Sequence, residues 1–340
     1  MIKRLILALV LLLVSTNLFA VIDLAGNSAD WSIVMNGSQF DVAADQQANS
    51  SDLELVGGVN LPLLYTQYDD NATPADTTDD VIAYRVRVSG QKTADYSSGY
   101  LFIGFDLDLD NDLDFYLSVS GKNTGGGIVA WDPGTDLNVS PSTTSIANPT
   151  QIEALDFTAV TGNVAYVPVD AVTDPASVFD SDSTSGADYF VNFKLSFTDF
   201  KAQAEAKSGI TGIIPTTAIQ YTLATSTNPN SYTSDVGGYD DKNGDLSLSY
   251  ADPLVSAFSP PLSISNVFPE ITSNGGATAA ALAVNEATTA VTTVSAADGD
   301  GDPGSLSLSR GVSVAGEDIA RFSVDNNGGE GSVGSARVAA

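Results

Sequence analysis

Apolar and polar residues alternate with a period of two in several stretches of the chain. In "VIAYRVRVSG", Ile82, Tyr84, Val86 and Val88 fall on one face and Arg85 and Arg87 on the other, the half-buried pattern of an antiparallel strand. The same alternation runs through Val191, Phe193, Leu195 and Phe197 of "YFVNFKLSF", and through Ile219, Tyr221 and Leu223 of "AIQYTLATST". Helical character is confined to "TDFKAQAEAKSG", with Thr198 or Asp199 as cap, good helix formers through Lys207, and Gly209 as the stop. Many strands separated by Gly, Asn, Asp and Pro turns predict an all-β fold, a large jelly-roll-like antiparallel β-sandwich with one short helix. Trp31 and Trp131 stand alone in the sequence and are read as core or rim residues rather than ligand platforms.

Patterning also divides the chain. Residues 1–20, "MIKRLILALVLLLVSTNLFA", combine basic Lys3 and Arg4 with an apolar run from Leu5 to Val14 and a small residue, Ala20, before the expected cut. This is the form of a secretory signal peptide, and the apolar run is too short to span a bilayer. No later segment is apolar enough to cross one, so the mature chain is expected to be secreted or displayed at the cell surface with no transmembrane segment. Aromatic residues are frequent up to Tyr250, after which only Phe258, Phe268 and Phe322 remain. The Pro260–Pro261 pair lies at this change and cannot continue a strand or helix. A large domain is therefore placed at 21–262 and a second, partial domain at 263–340.

Composition changes the picture by exclusion. The 340 residues include no Cys and no His, and 42 acidic residues against 13 basic ones leave a formal charge of −29. Without Cys or His there is no ordinary zinc site, no Ser-His-Asp triad and no thiol nucleophile. The remaining donors are hard oxygens, which suit calcium or magnesium. So negative a surface repels nucleic acid and anionic membranes.

One stretch concentrates that charge. "DLDLDNDLD" puts Asp106, Asp108, Asp110, Asp112 and Asp114 within nine positions. Alternate residues of an extended strand lie about 6.8 Å apart on one face, where two carboxylates repel by roughly 0.6 kcal/mol even in water. The spacing resembles the opening of an EF-hand loop, whose side chains at alternate positions converge on one calcium ion. It departs from that motif at Asn111, where the loop has Gly, and at Leu117, where it has Glu. Asp106, Asp108, Asp110 and Asp112 are the expected calcium ligands, with Asp114 pointing away along the following strand. A second candidate loop, "SDVGGYDDKNGD", offers Asp235, Asp240, Asp241, Asn243 and Asp245, although its Asn243–Gly244 pair is also a plain hairpin signal. The segment "TTAIQYTLATSTNPNSYTSDVGGYDDKNGD" resembles the closing part of a β module found in exported bacterial surface proteins, which implies location rather than chemistry.

In the partial domain, Pro269, Glu286 in "VNEATTAV", Ala296, Asp298 and Asp300 in "SAADGDGD", and Phe322 with Asp325 in "FSVD" resemble the cadherin-like repeats of bacterial surface and adhesion proteins. That resemblance implies an Ig-like Greek-key sandwich with calcium at module junctions, held here by Glu286, Asp298 and Asp300. Asp302 is an additional oxygen donor with no firm counterpart in the family. The 78 residues from Ser263 to Ala340 fall short of the roughly 100 of a complete sandwich of this kind, so a partial one is expected.

Three function classes follow. The leading one is a non-catalytic, calcium-binding protein of the cell surface with a structural, adhesive role, whose partner is another surface protein or a glycan. The alternative is a carbohydrate-binding module with structural calcium, marked by exposed aromatics such as Tyr65, Tyr68, Tyr96, Tyr100 and Trp131. A glycoside hydrolase using paired carboxylates is the least supported, because no motif sets an acid beside a nucleophile.

Overall fold

The computed structural model describes residues 22–35, 41, 50–58, 61–73, 75–122, 126–132, 147–153, 162–181, 186–229, 234–237 and 258–265, with short strands at 270–271, 296–297, 321–325 and 335–339. One five-stranded antiparallel sheet contains β1 (Ser32–Met35), β2 (Leu64–Asp69), β3 (Val81–Val88), β8 (Val164–Pro168) and β9 (Tyr189–Ser196), in the order β1-β2-β3-β9-β8. The other sheet has seven strands: β4 (Tyr100–Asp106), β5 (Phe115–Ser120), β6 (Gly127–Asp132), β7 (Ala147–Glu153), β10 (Ala218–Ser226), β11 (Asp235–Val236) and β12 (Leu262–Ser263). Its order is β11-β10-β4-β5-β6-β7, with β12 also paired to β10. The chain lays down the first three strands of one sheet and a four-strand meander of the other. It then returns with β9 beside β3 and β10 beside β4.

The alternating apolar positions build the core between the sheets. Ile82, Tyr84, Val86 and Val88 of β3 and Val191, Phe193 and Leu195 of β9 share one buried cluster with Ile103 and Phe105 of β4 and Tyr221 and Leu223 of β10. Aromatic rings bridge the two layers edge to face, Tyr84 standing 5.9 Å from Phe105 and 6.1 Å from Tyr221 between centroids, a geometry favoured by the ring quadrupoles. The sandwich extends past Leu262: Ile264 belongs to the core cluster, and the Ile264 and Ser265 amides donate to the carbonyls of Thr217 and Pro215.

The single α-helix among the described residues, α1 (Phe197–Ser208), begins earlier than its sequence suggests. Its cap is Ser196, whose hydroxyl oxygen accepts the Asp199 amide at 3.0 Å, rather than Thr198 or Asp199. The shift turns Phe197, Phe200 and Ala204 inward along one narrow stripe, and apolar burial outweighs the small difference between capping residues. Gly209 ends the helix in the left-handed conformation, with φ of 78°.

A second departure concerns the two arginines of β3. Alternation predicts them on a solvated face, yet Arg85 and Arg87 are fully buried. Residues 22–31 lie as a strap across the outer face of the five-stranded sheet, with Ile22, Leu24 and Trp31 packed on Tyr65, Ala83, Ala165 and Phe190. Arg85 donates to the carbonyls of Leu24 and Gly26, to the Ser28 hydroxyl and to the Asn192 side chain. Its guanidinium stacks between the Trp31 and Phe190 rings, 4.4 and 4.8 Å from their centroids. Both tryptophans are buried, as their isolation suggested, and the Trp131 indole donates to the Ser118 hydroxyl at 2.8 Å. In the C-terminal part, β13 (Glu270–Ile271) pairs with β14 (Ala296–Ala297), and β15 (Arg321–Asp325) with β16 (Ser335–Ala339).

Candidate metal centre

The acidic stretch forms the loop between β4 and β5, and its leucines anchor it unequally. Leu107 and Leu113 are buried, whereas Leu109 is exposed and sits in the left-handed region with φ of 64°, followed by Asn111 at 71°. Such a conformation is costly for leucine. It is held by Asp106, the last residue of β4, whose two carboxylate oxygens accept the backbone amides of Leu109 at 2.7 Å and Asn111 at 2.9 Å. At the base of the loop the Asp114 carboxylate accepts the Leu107 amide at 2.6 Å, and the Asp114 amide donates to the Phe105 carbonyl at 2.8 Å.

This folding gathers a particular set of carboxylates. One oxygen each from Asp106, Asp108 and Asp114 lies within 4.8 Å of the other two. Calcium binds oxygens at about 2.4 Å, so donors on opposite sides of one ion stand about 4.8 Å apart. The three oxygens are therefore close enough to share a single hard cation. Of the four expected ligands, Asp106 and Asp108 belong to this group. Asp110 and Asp112 are exposed and outside it, the Asp110 carboxylate accepting the Asp112 amide at 2.9 Å. Asp114, expected to point away, instead closes the group from the other side of the loop base.

The electrostatics express the unmet charge. Burial, partly offset by the Leu107 amide and reinforced by Asp108, Asp106 and Asp110, pushes the Asp114 carboxyl up to about 6. Asp106 is also raised, by burial first, against the pull of the Asn111 and Leu109 amides and with added repulsion from Asp110. Among the described residues the ion pairs join Arg87 to Asp188, Lys201 to Glu205 and Lys207 to Asp132, and no basic side chain reaches this loop.

The second candidate loop is represented only by Asp235. It is buried in β11, where its oxygens accept the amides of Leu55 at 2.7 Å and Val236 at 2.8 Å. These bonds tie the sheet edge to residue 55 across the sandwich. Asp240, Asp241, Asn243 and Asp245, and likewise Glu286, Asp298, Asp300 and Asp302, lie outside the described residues. Of the aromatics that would mark a glycan platform, Tyr65, Tyr96, Tyr100 and Trp131 are buried, and Tyr68 is partly exposed. Among the described residues no helix is long and apolar enough to cross a membrane.

Neither the protein-family models, nor the characterised proteins, nor the solved structures contain a match to this chain.

Proposed function

We propose that the protein is an exported, calcium-binding component of the cell surface with a structural, adhesive role and no catalytic one. The convergence of Asp106, Asp108 and Asp114 on one point carries this reading. Calcium is the cation of choice because the donors are all oxygen and the loop backbone is irregular, which suits an ion of flexible coordination better than the octahedral demand of magnesium. Bound there, the ion neutralises mutually repelling carboxylates and braces the β4–β5 loop against the seven-stranded sheet. The leader-like residues 1–20 support export, and the cadherin-like features after Ser263 support adhesion to another surface protein or a glycan. The buried aromatics weigh against the glycan-platform alternative for the large domain.

Calorimetric titration of the mature chain with calcium is expected to show binding in the micromolar to millimolar range, and a flat trace would refute the proposal. At a hundredfold excess over Kd the ion stabilises the fold by about 2.7 kcal/mol, so EDTA should lower Tm by roughly 5–10 °C. Asp108 is exposed. Asp108→Asn is accordingly expected to weaken calcium binding about tenfold or more while leaving Tm in EDTA unchanged.

The sign of the pH dependence should depend on the metal. Because the folded pKa of Asp114 is raised to about 6, its ionised form is the costly one in the folded, metal-free protein. Lowering the pH from 7 to 5 removes part of that cost, and stability in EDTA rises by no more than about 1 kcal/mol once screening of the partly exposed group is allowed for. With calcium the ionised forms are the bound ones, so Tm falls over the same range and the two curves converge. Thermal scans at several pH values check this; parallel curves would count against the site.

A further inference from the structure

Where α1 ends against the seven-stranded sheet, an amine, a carboxylate and a carboxamide meet. Lys207 lies in the last turn of α1, Asp132 at the end of β6 and Asn148 near the start of β7. A lysine at a helix C-terminus is ordinary; its surroundings here are not. The Lys207 side chain is 8 % exposed, its Nζ stands 3.9 Å from Asp132 Oδ1, and it donates to the Asn148 backbone carbonyl. The other oxygen of the same carboxylate, Oδ2, accepts the Asn148 side-chain amide at 2.5 Å. A register shift between β6 and β7, of the kind that re-aims side chains, sets Asp132 opposite Ala147 and so beside Asn148. Asn148 itself holds a left-handed conformation, with φ of 50°, which asparagine tolerates better than most residues. The sequence also protects the carboxamide. Asparagine side chains are ordinarily lost when the following backbone N–H attacks Cγ, and residue 149 is proline, which has no N–H.

We propose that Lys207 and Asn148 join in an intramolecular amide bond, with Asp132 as the carrier of protons. Nζ gives up a proton to the Asp132 carboxylate and, as the free amine, attacks Asn148 Cγ. The Cγ–Nζ bond forms and the Cγ–Nδ2 bond breaks. Two protons leave Nζ by way of Asp132 and both end on Nδ2, which departs as ammonium. No oxidant or second reactant is needed. Holding the amine and the carboxamide on one carboxylate supplies the proximity that such a reaction lacks between free side chains. Asn148 is exposed, so the ammonium is lost to solvent and the bond is not reversed. The place in the fold gives the bond a use. It would tie α1 to β7, the strand at one edge of the seven-stranded sheet, in a chain that has no Cys and therefore no disulfide with which to staple itself outside the cell.

The inference does not rest on the calcium site and is tested without reference to it. Intact-mass measurement of the purified mature chain is expected to fall about 17 Da below the mass of its sequence, the ammonia released. Trypsin should leave the bond after Lys207 uncut and yield a branched peptide joining the stretch around Asn148 to the stretch around Lys207. Lys207→Arg keeps the charge but offers no amine nucleophile, and Asp132→Asn removes the proton carrier; both should restore the full mass and abolish the branched peptide. Because Lys207→Arg is conservative, it serves where the Asp132 variant does not fold. A parent chain of full mass overturns the proposal. So does a deficit that survives Lys207→Arg, which would belong to a cyclised asparagine elsewhere in the chain.

Discussion

Replacing Arg87 with methionine is expected to remove about 3–5 kcal/mol of stability, the range measured when one partner of a buried ion pair is lost. Arg87 Nε donates to Asp188 Oδ2 at 2.7 Å with both side chains fully buried. Its other nitrogens donate to the Ser177 hydroxyl and the Val178 carbonyl. Asp188 in turn accepts the Ser181 amide at 3.0 Å and the Ser181 hydroxyl at 2.9 Å. The pair thus organises the loop that follows β8. Burial already holds the Asp188 carboxyl above its ordinary range against the pull of Arg87, and without the guanidinium that opposition disappears. For a domain of this size the loss amounts to a fall in Tm of roughly 10 °C. A double variant that also replaces Asp188 with leucine should recover part of it, since no unpaired charge then remains buried. Denaturant melts of the three proteins measure the effect; a loss below about 1 kcal/mol for Arg87→Met would show that the loop reorganises around the carboxylate.

Asp106→Ala is expected to be nearly as damaging, and for two separable reasons. The carboxylate accepts two backbone amides that hold Leu109 and Asn111 in left-handed conformations, and hydrogen bonds to a charged group contribute about 1.5–3 kcal/mol each. Their joint loss sets the scale at about 3–5 kcal/mol in EDTA. Asp106→Asn keeps one acceptor oxygen and should lose roughly half as much. Both variants also remove an oxygen of the proposed calcium site, so neither should gain stability from calcium. The contrast with Asp108→Asn, which is expected to lose the calcium response alone, separates the loop's architecture from its chemistry. Equal stability of Asp106→Ala and the parent in EDTA would contradict the role given to Asp106.

Legibility from the sequence follows the range of the forces involved. Period-two alternation identified the strands containing Ile82–Val88, Val191–Leu195 and Ile219–Leu223, and all these apolar positions are buried between the sheets. The same rule misplaced Arg85 and Arg87, because a strand's second face is solvated only if nothing distant lies on it. Here residues 22–31, 177–181 and 188 lie on it, and the polar groups they bring satisfy both guanidinium ions. Nothing within ten residues of β3 announces either partner.

The acidic loop shows the same division. The chain's own composition determined which chemistry was open to it: with no Cys or His and an excess of aspartate, only oxygen-liganded hard cations remained. Clustering of aspartates located the candidate, and alternation named Asp106 and Asp108. Tertiary structure alone decided that Asp114 joins them and that Asp110 and Asp112 do not, since two left-handed residues turn the chain back on itself and break the strand-like register on which the spacing argument depends. Local patterning specifies what an element is made of and which side turns inward; which side chains meet is settled by long-range pairing, in which covering a face or reversing a loop outweighs the preference of any single residue.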